Sequence, residues 1–230
     1  QRTLNFSSRT IIQMLPVIFP RIFSKPNLSP RNTRSLRTIL FVAGMLLLAG
    51  CLVPETFESN IEIRPDGSYV FRYSGTVVHA MVAAHLKKSR RLSAADEKEM
   101  REAAAEMTRK GEAKQASYLG QGRYKLLVED ERKPGQAFEL FDTFRVIPAT
   151  DSTITITSDK IDEKSKKELV SIGIKIDGTL DVSLPDNAEV IEHNATKTPR
   201  LFGLLGSTYR WEIGQFDQRP FMKIRLRPES

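Results

Sequence analysis

The chain has one cysteine, three histidines and 28 carboxylates among its 230 residues. Few of these groups are spaced for covalent or metal chemistry. His79 and His85 stand about 600° apart along a helix, so they do not share a face as an i,i+4 zinc pair does, and His193 is remote from both. One cysteine rules out an intramolecular disulfide and a cysteine-rich metal site within one chain. No nucleophile elbow is present, and Gly203-Leu204-Leu205-Gly206-Ser207-Thr208 lacks the lysine of a phosphate loop. Asp177 and Asp181 belong to an alternating pattern that gives them a solvated strand face. These residue types predict no catalytic residues, no metal and no cofactor. A hydrolase without a local motif stays as a third reading. The thiol of Cys51 is the chain's one strong nucleophile, and it follows Leu48, Ala49 and Gly50, of which the last two suit a narrow protease cleft.

The charge distribution points to the same place. The formal net charge is +7, yet residues 1–50 hold seven Lys/Arg and no Asp or Glu, which leaves 28 cations against 28 acids in 51–230. The excess belongs to a leader, so the remainder has no overall basic bias toward nucleic acid. Arg31, Arg34 and Arg37 precede the apolar run Thr38–Gly50, which is too short to span a bilayer of roughly 30 Å comfortably. A basic stretch, an apolar stretch and small residues are the plan of a secretory signal. Leu48-Ala49-Gly50-Cys51 resembles the lipobox of bacterial lipoproteins.

That resemblance implies transfer of diacylglycerol to the Cys51 thiol, recognition of Leu48, Ala49 and Gly50 by signal peptidase II, and cleavage just before the cysteine. It also implies a palmitate-type N-terminal lipid as the sole covalent addition, and a location in the bacterial cell envelope. Leu52 is not the Asp associated with inner-membrane retention, which favours the outer membrane facing the periplasm. Two other readings stay open: a mitochondrial presequence or simple membrane anchor, and a core helix with Cys51 at its end. Met14 is a more natural start than Gln1, which would make 1–13 a gene-boundary artefact. The expected organisation is a signal peptide over 1–50, a short lipidated tether over 51–57 and one domain over 58–230.

The elements of that domain follow from periodicity. Phe57, Ser59, Ile61 and Ile63 alternate with polar neighbours, Pro65-Asp66-Gly67 turns, and Tyr69, Phe71 and Tyr73 return. This is a hairpin with one aromatic face. From Thr76 the period changes to that of a helix through Leu86. Ser93 and Asp96 form a capping box opening a second helix to about Lys110, with Met100, Ala103, Ala104 and Met107 as its apolar stripe and Gly111 beyond its end. Tyr124, Leu126 and Val128 make a strand. Phe138 to Val146 reads as another, bulged between Phe141 and Thr143, followed by a Thr/Ile strand over 152–158 and a short charged helix over 162–170. Ile172 to Leu184 is one long strand bent at Asp177-Gly178, or a hairpin there. Val190-Ile191, Tyr209 to Ile213 and Phe221 to Ile224 complete the pattern. The sum is an α+β fold: about eight to ten strands in a single curved, mostly antiparallel sheet, with two main helices inserted after the first hairpin.

Two stretches are candidates for binding. Lys87, Lys88, Arg90 and Arg91 end the first helix. They are either solvated charges favourable to a helix C-terminus or contacts to anionic head groups. Leu201, Phe202, Leu204 and Leu205 form a loop that either folds onto the core or meets an apolar ligand, the membrane or a partner.

The strand Leu180-Asp181-Val182-Ser183-Leu184-Pro185, then Val190-Ile191-Glu192-His193-Asn194-Ala195, then Tyr209-Arg210-Trp211-Glu212-Ile213 resembles the LppM-like bacterial lipoproteins. The likeness covers roughly the last fifty residues and the opening hairpin. It implies a small lipid-binding fold in which a curved sheet and a helix enclose an apolar cavity, and this chain departs from it through the helical insertion at 76–111. The leading expectation is non-catalytic binding of a lipid or other apolar ligand near the membrane, through the aromatic hairpin face and the 201–206 stretch. The alternative is a scaffold or assembly factor docking another envelope protein. Nucleic acid is not expected as a partner.

Overall fold

The computed structural model describes residues 52–89, 91–141, 143–199 and 207–228. Strand β1 (Leu52–Ile63) and strand β2 (Tyr69–His79) pair antiparallel through a turn in which Asp66 accepts the Ser68 amide at 2.9 Å and its hydroxyl at 2.7 Å. Helices α1 (Ala80–Ser89) and α2 (Ala94–Arg109) follow, then strands β3 (Gln115–Gly120) and β4 (Arg123–Arg132). Next come β5 (Phe138–Leu140), β6 (Phe144–Pro148), β7 (Thr153–Thr157) and helix α3 (Glu163–Ser171). Strands β8 (Asp177–Ser183), β9 (Ala188–His193), β10 (Thr208–Ile213) and β11 (Phe221–Leu226) complete the chain.

The class is α+β, and the strands divide between two sheets where periodicity had put them in one. The six-stranded sheet has the order β10-β8-β1-β2-β4-β3, and the five-stranded sheet has the order β5-β6-β7-β11-β9. Every pairing is antiparallel except β1 with β8. A period of two marks which side chains are buried, but not which layer covers them. Cross-strand partners share a face, so Phe57, Ile61, Phe71, Tyr73, Leu126, Val128, Leu180 and Trp211 all lie on one buried face. The five-stranded sheet packs onto it through rings. Phe71 meets Phe138 at 4.5 Å between centroids, Phe57 meets Phe144 at 5.5 Å, and Tyr73 meets Phe141 at 5.5 Å. The opposite face is polar and carries ion pairs such as Arg72–Glu62 at 3.0 Å.

Phe57 sits at the centre of this arrangement. It is paired with Gly75 on one side and Gly178 on the other. A methyl group on Gly178 would come within 2.6 Å of its ring, and one on Gly75 within 2.5 Å of its Cβ. Gly178 leaves room for the Phe57 ring, and Gly75 for the close approach of the β1 main chain at Thr56 and Phe57.

Several boundaries differ from the sequence reading, each for a physical reason. Leu52 to Phe57, read as tether, belong to β1 and pair with β2. Val77 and Val78 extend β2, paired with Tyr124 and Arg123, so α1 starts at Ala80 and not at Thr76. The stretch around Phe141 is a hairpin turn between β5 and β6, with Phe141 at φ 54°, and not a bulge. Ile174 is buried without being in a strand, so β8 starts at Asp177 and the region is neither a long strand nor a hairpin. Strand β3 is an edge strand of small and polar residues that gives little alternating signal. The Ser93–Asp96 capping box, the Met100/Ala103/Ala104/Met107 stripe and the positive φ of Gly111 stand as read.

Gly178→Ala is expected to cost about 1–3 kcal/mol in denaturant unfolding, as overpacking does. The cost should shrink in a Phe57→Leu background, because the ring that the new methyl meets is gone. An unchanged midpoint for Gly178→Ala would contradict the close approach.

Candidate functional site

The aromatic hairpin face is interior. Tyr69, Phe71 and Tyr73 are each 0% exposed, and the space between the sheets holds the rings of Phe57, Phe138, Phe141 and Phe144. Tyr69 donates to the Gln136 carbonyl at 2.6 Å and Tyr73 to the Thr76 carbonyl at 3.1 Å, and burial pushes both phenols well above their ordinary range. Trp211 donates to Asn194 Oδ1 at 2.7 Å. Residues 48–51, 90 and 201–206 lie outside the described residues, so the lipobox, Arg90 and the Leu201/Phe202/Leu204/Leu205 stretch have no structural account.

The histidines fall on three different elements. His79 ends β2, His85 is within α1, and His193 ends β9, where its Nδ1 accepts the Ala195 amide at 3.1 Å and its ring meets Tyr209. The helical spacing between His79 and His85 therefore does not apply, since one of them is on a strand. Among the described residues no three His, Cys, Asp or Glu side chains gather as metal ligands. Asp181 accepts from Nε and Nη2 of Arg210, each at 2.6 Å, on the polar face. An open groove of about 500 Å³ lies beside Ile63, Arg64, Pro185 and Asn187, with Asn187 Nδ2 donating to the Pro65 and Arg227 carbonyls.

The described residue next to Cys51 is Leu52, and its surroundings define the candidate site. Leu52 is buried and paired with His79. The His79 amide donates to the Gly122 carbonyl at 2.8 Å. Gly122 has φ +75° and lies so close under α1 that a Cβ would come within 2.7 Å of Val82 Cγ1. Its amide donates to the Tyr118 hydroxyl at 3.1 Å. Arg123 holds Glu55 with two bonds of 2.8 and 2.9 Å. The start of β1, the end of β2 and the β3–β4 turn are thus tied together by main-chain and charged contacts.

The cationic run that ends α1 is divided. Lys87 donates to the Ser171 carbonyl in the last turn of α3, which fits the bland reading of a cation at a helix C-terminus. Lys88 and Arg91 are exposed. Sequence reasoning missed Leu119 and Val170, which are 55% and 58% exposed. The Gly120-Gln121-Gly122 turn between two tyrosines was the available signal for the first. Nothing in the pattern of the charged helix singled out the second.

No protein-family model matches the sequence, and no curated protein matches it. Among solved structures, the chain is similar to the NMR structure of the folded domain of the Mycobacterium tuberculosis LppM protein. Identity is 11%, the match covers 90% of this chain and 97% of that one, and the TM-score is 0.36. A score and identity that low carry no argument about function.

Burial lowers the His79 pKa, because the charged imidazolium loses its hydration. The unfolded chain binds this proton more readily, so stability is full above about pH 6.5 and falls as the pH drops below it toward the folded-state pKa. Chemical denaturation across that window should show the loss, and His79→Gln should reduce it. An identical pH slope in the variant would assign the effect to other groups.

Proposed function

We propose that this chain is a bacterial envelope lipoprotein, acylated at Cys51 and cleaved before it, with a non-catalytic recognition domain held at the membrane surface. The observation that carries the reading is the lipobox Leu48-Ala49-Gly50-Cys51 placed immediately before the first strand of the domain. An acid-free basic segment and an apolar run precede it, as processing requires. Leu52 favours the outer membrane, with the domain facing the periplasm.

The reading has two forms. Interior binding of an acyl chain needs an apolar cavity, and the aromatic rings occupy the space between the sheets. That favours recognition at the surface, as a scaffold or assembly factor contacting another envelope protein or a head group. The apolar-ligand form keeps one support, the sequence Leu201-Phe202-Gly203-Leu204-Leu205. Neither form uses a metal, a cofactor beyond the lipid on Cys51, or nucleic acid.

Intact mass and membrane fractionation test the anchor. The wild-type chain should begin at Cys51, carry added diacylglyceryl mass and sediment with membranes, while Cys51→Ala should keep its leader and lack the added mass. An unmodified Cys51, with the variant fractionating as wild type does, would return the argument to a presequence or a simple anchor.

A further inference from the structure

We infer that the end of the six-stranded sheet at which β1 begins is a bilayer-contact surface selective for anionic head groups. The inference rests on acylation of Cys51. Register supplies the geometry. Val53 pairs with Val78, Val78 with Arg123, and Arg123 with Gly120, so one cross-strand row joins the start of β1 to the β3–β4 turn. Exposed Leu119 stands at that turn. On the other side of β1, the parallel strand β8 enters from the same end, with Asp177 level with Thr56. The chain leading into it carries exposed Val170 and Lys175 together with Ser171, whose carbonyl accepts Lys87 from α1.

Chain length then decides what covers this end. Leu52 is already paired within β1, so one peptide unit, about 3.8 Å, separates the sheet from the acylated residue. The head-group layer of a bilayer is about 5–8 Å deep on each side. With the thioether and glyceryl links added, about six bonds, the sheet end stays within roughly 12 Å of the hydrocarbon edge and so rests against the head-group layer whenever the acyl chains are inserted. The side chains there suit that position: two exposed aliphatic groups, Leu119 and Val170, beside Lys87, Lys88 and Lys175. Of the acids at this end, Glu55 is paired with Arg123, Glu97 lies against Tyr118 and 4.0 Å from Arg101, Glu168 is 4.0 Å from Lys164, and Asp177 is exposed. Lysines near an anionic surface each favour contact about fivefold.

The test uses the full chain expressed in a bacterial host, with acylation read by intact mass. The acylated protein is reconstituted in phosphatidylcholine vesicles with and without phosphatidylglycerol. Cys51 is the chain's one cysteine and its thiol would be blocked by lipid. Leu119→Cys, Val170→Cys or Asp186→Cys can therefore each carry a single polarity-sensitive fluorophore. Asp186 follows the far end of β8, where Ser183 pairs with Glu62. Labels at 119 and 170 are expected to shift to the blue and to be quenched by lipid-borne quenchers, more so with phosphatidylglycerol, while the label at 186 stays in water. Lys88→Glu with Lys175→Glu should remove the phosphatidylglycerol dependence. Equal spectra at all three positions with acylation intact would overturn the surface and leave the anchor standing. A shift independent of phosphatidylglycerol would overturn the head-group selectivity. An unmodified Cys51 would overturn the anchor and this surface together.

Discussion

Phe57, with its ring over Gly178 and its backbone against Gly75, is the contact on which the rest of the domain depends. It locks β1 between its antiparallel neighbour β2 and its parallel neighbour β8. Its edge contact with Phe144 then joins the two sheets, and its stacking on Tyr73 fastens β1 to β2. A parallel pair in an otherwise antiparallel sheet needs a long connection, and here β2 to β7 and all three helices lie within it. Loop closure over that distance is entropically costly, so the register between β1 and β8 must be specified by packing. Gly178 specifies it, because any other residue opposite Phe57 would drive a Cβ into the ring.

Placing β1 in the interior of the sheet has a consequence for function. An edge strand could peel away and lengthen a tether, but β1 is paired on both sides from Phe57 onward, and Leu52, Val53 and Pro54 pair with β2 ahead of the irregularity at Glu55 and Thr56. The residue that carries the lipobox thiol is joined directly to this strand. The membrane reading and the fold are therefore linked by covalent geometry and not only by a motif. The filled interior acts in the same direction. With the rings packed between the sheets, the surfaces open to the recognition proposed above are the sheet end near Leu52, the polar outer face and the groove beside Arg64 and Asn187.

Much of this was legible in the sequence, and the failures have physical causes. The aromatic alternation of the first hairpin, the capping box at Ser93 and the stripe Met100/Ala103/Ala104/Met107 are local signals, and each formed where read. Faces were legible and layers were not: Phe71 and Tyr73 announced a buried side, yet nothing local said that Phe138 and Phe144 would cover it. That ambiguity produced one sheet in place of two. Val77 and Val78 fitted a helical period as well as a strand, and only their partners Tyr124 and Arg123 decided between them. The tether from 51 to 57 was an error of the same kind, since Pro54 and Glu55 disguise strand pairing that His79 and Val78 reveal. For the candidate site, Leu119 and Val170 carried no local signal: the one lies in the edge strand β3 and the other in the charged helix α3.

Amide hydrogen exchange of the acylated protein, resolved over residues 52–57, addresses the absence of a tether most directly. Slow exchange at the hydrogen-bonded amides of this stretch, comparable with those of β2, is the expected result, because the stretch is paired and Leu52 and Phe57 are buried. Exchange at the rate of an unstructured chain would contradict it. The domain would then hang on a flexible spacer, free of the bilayer it is expected to touch.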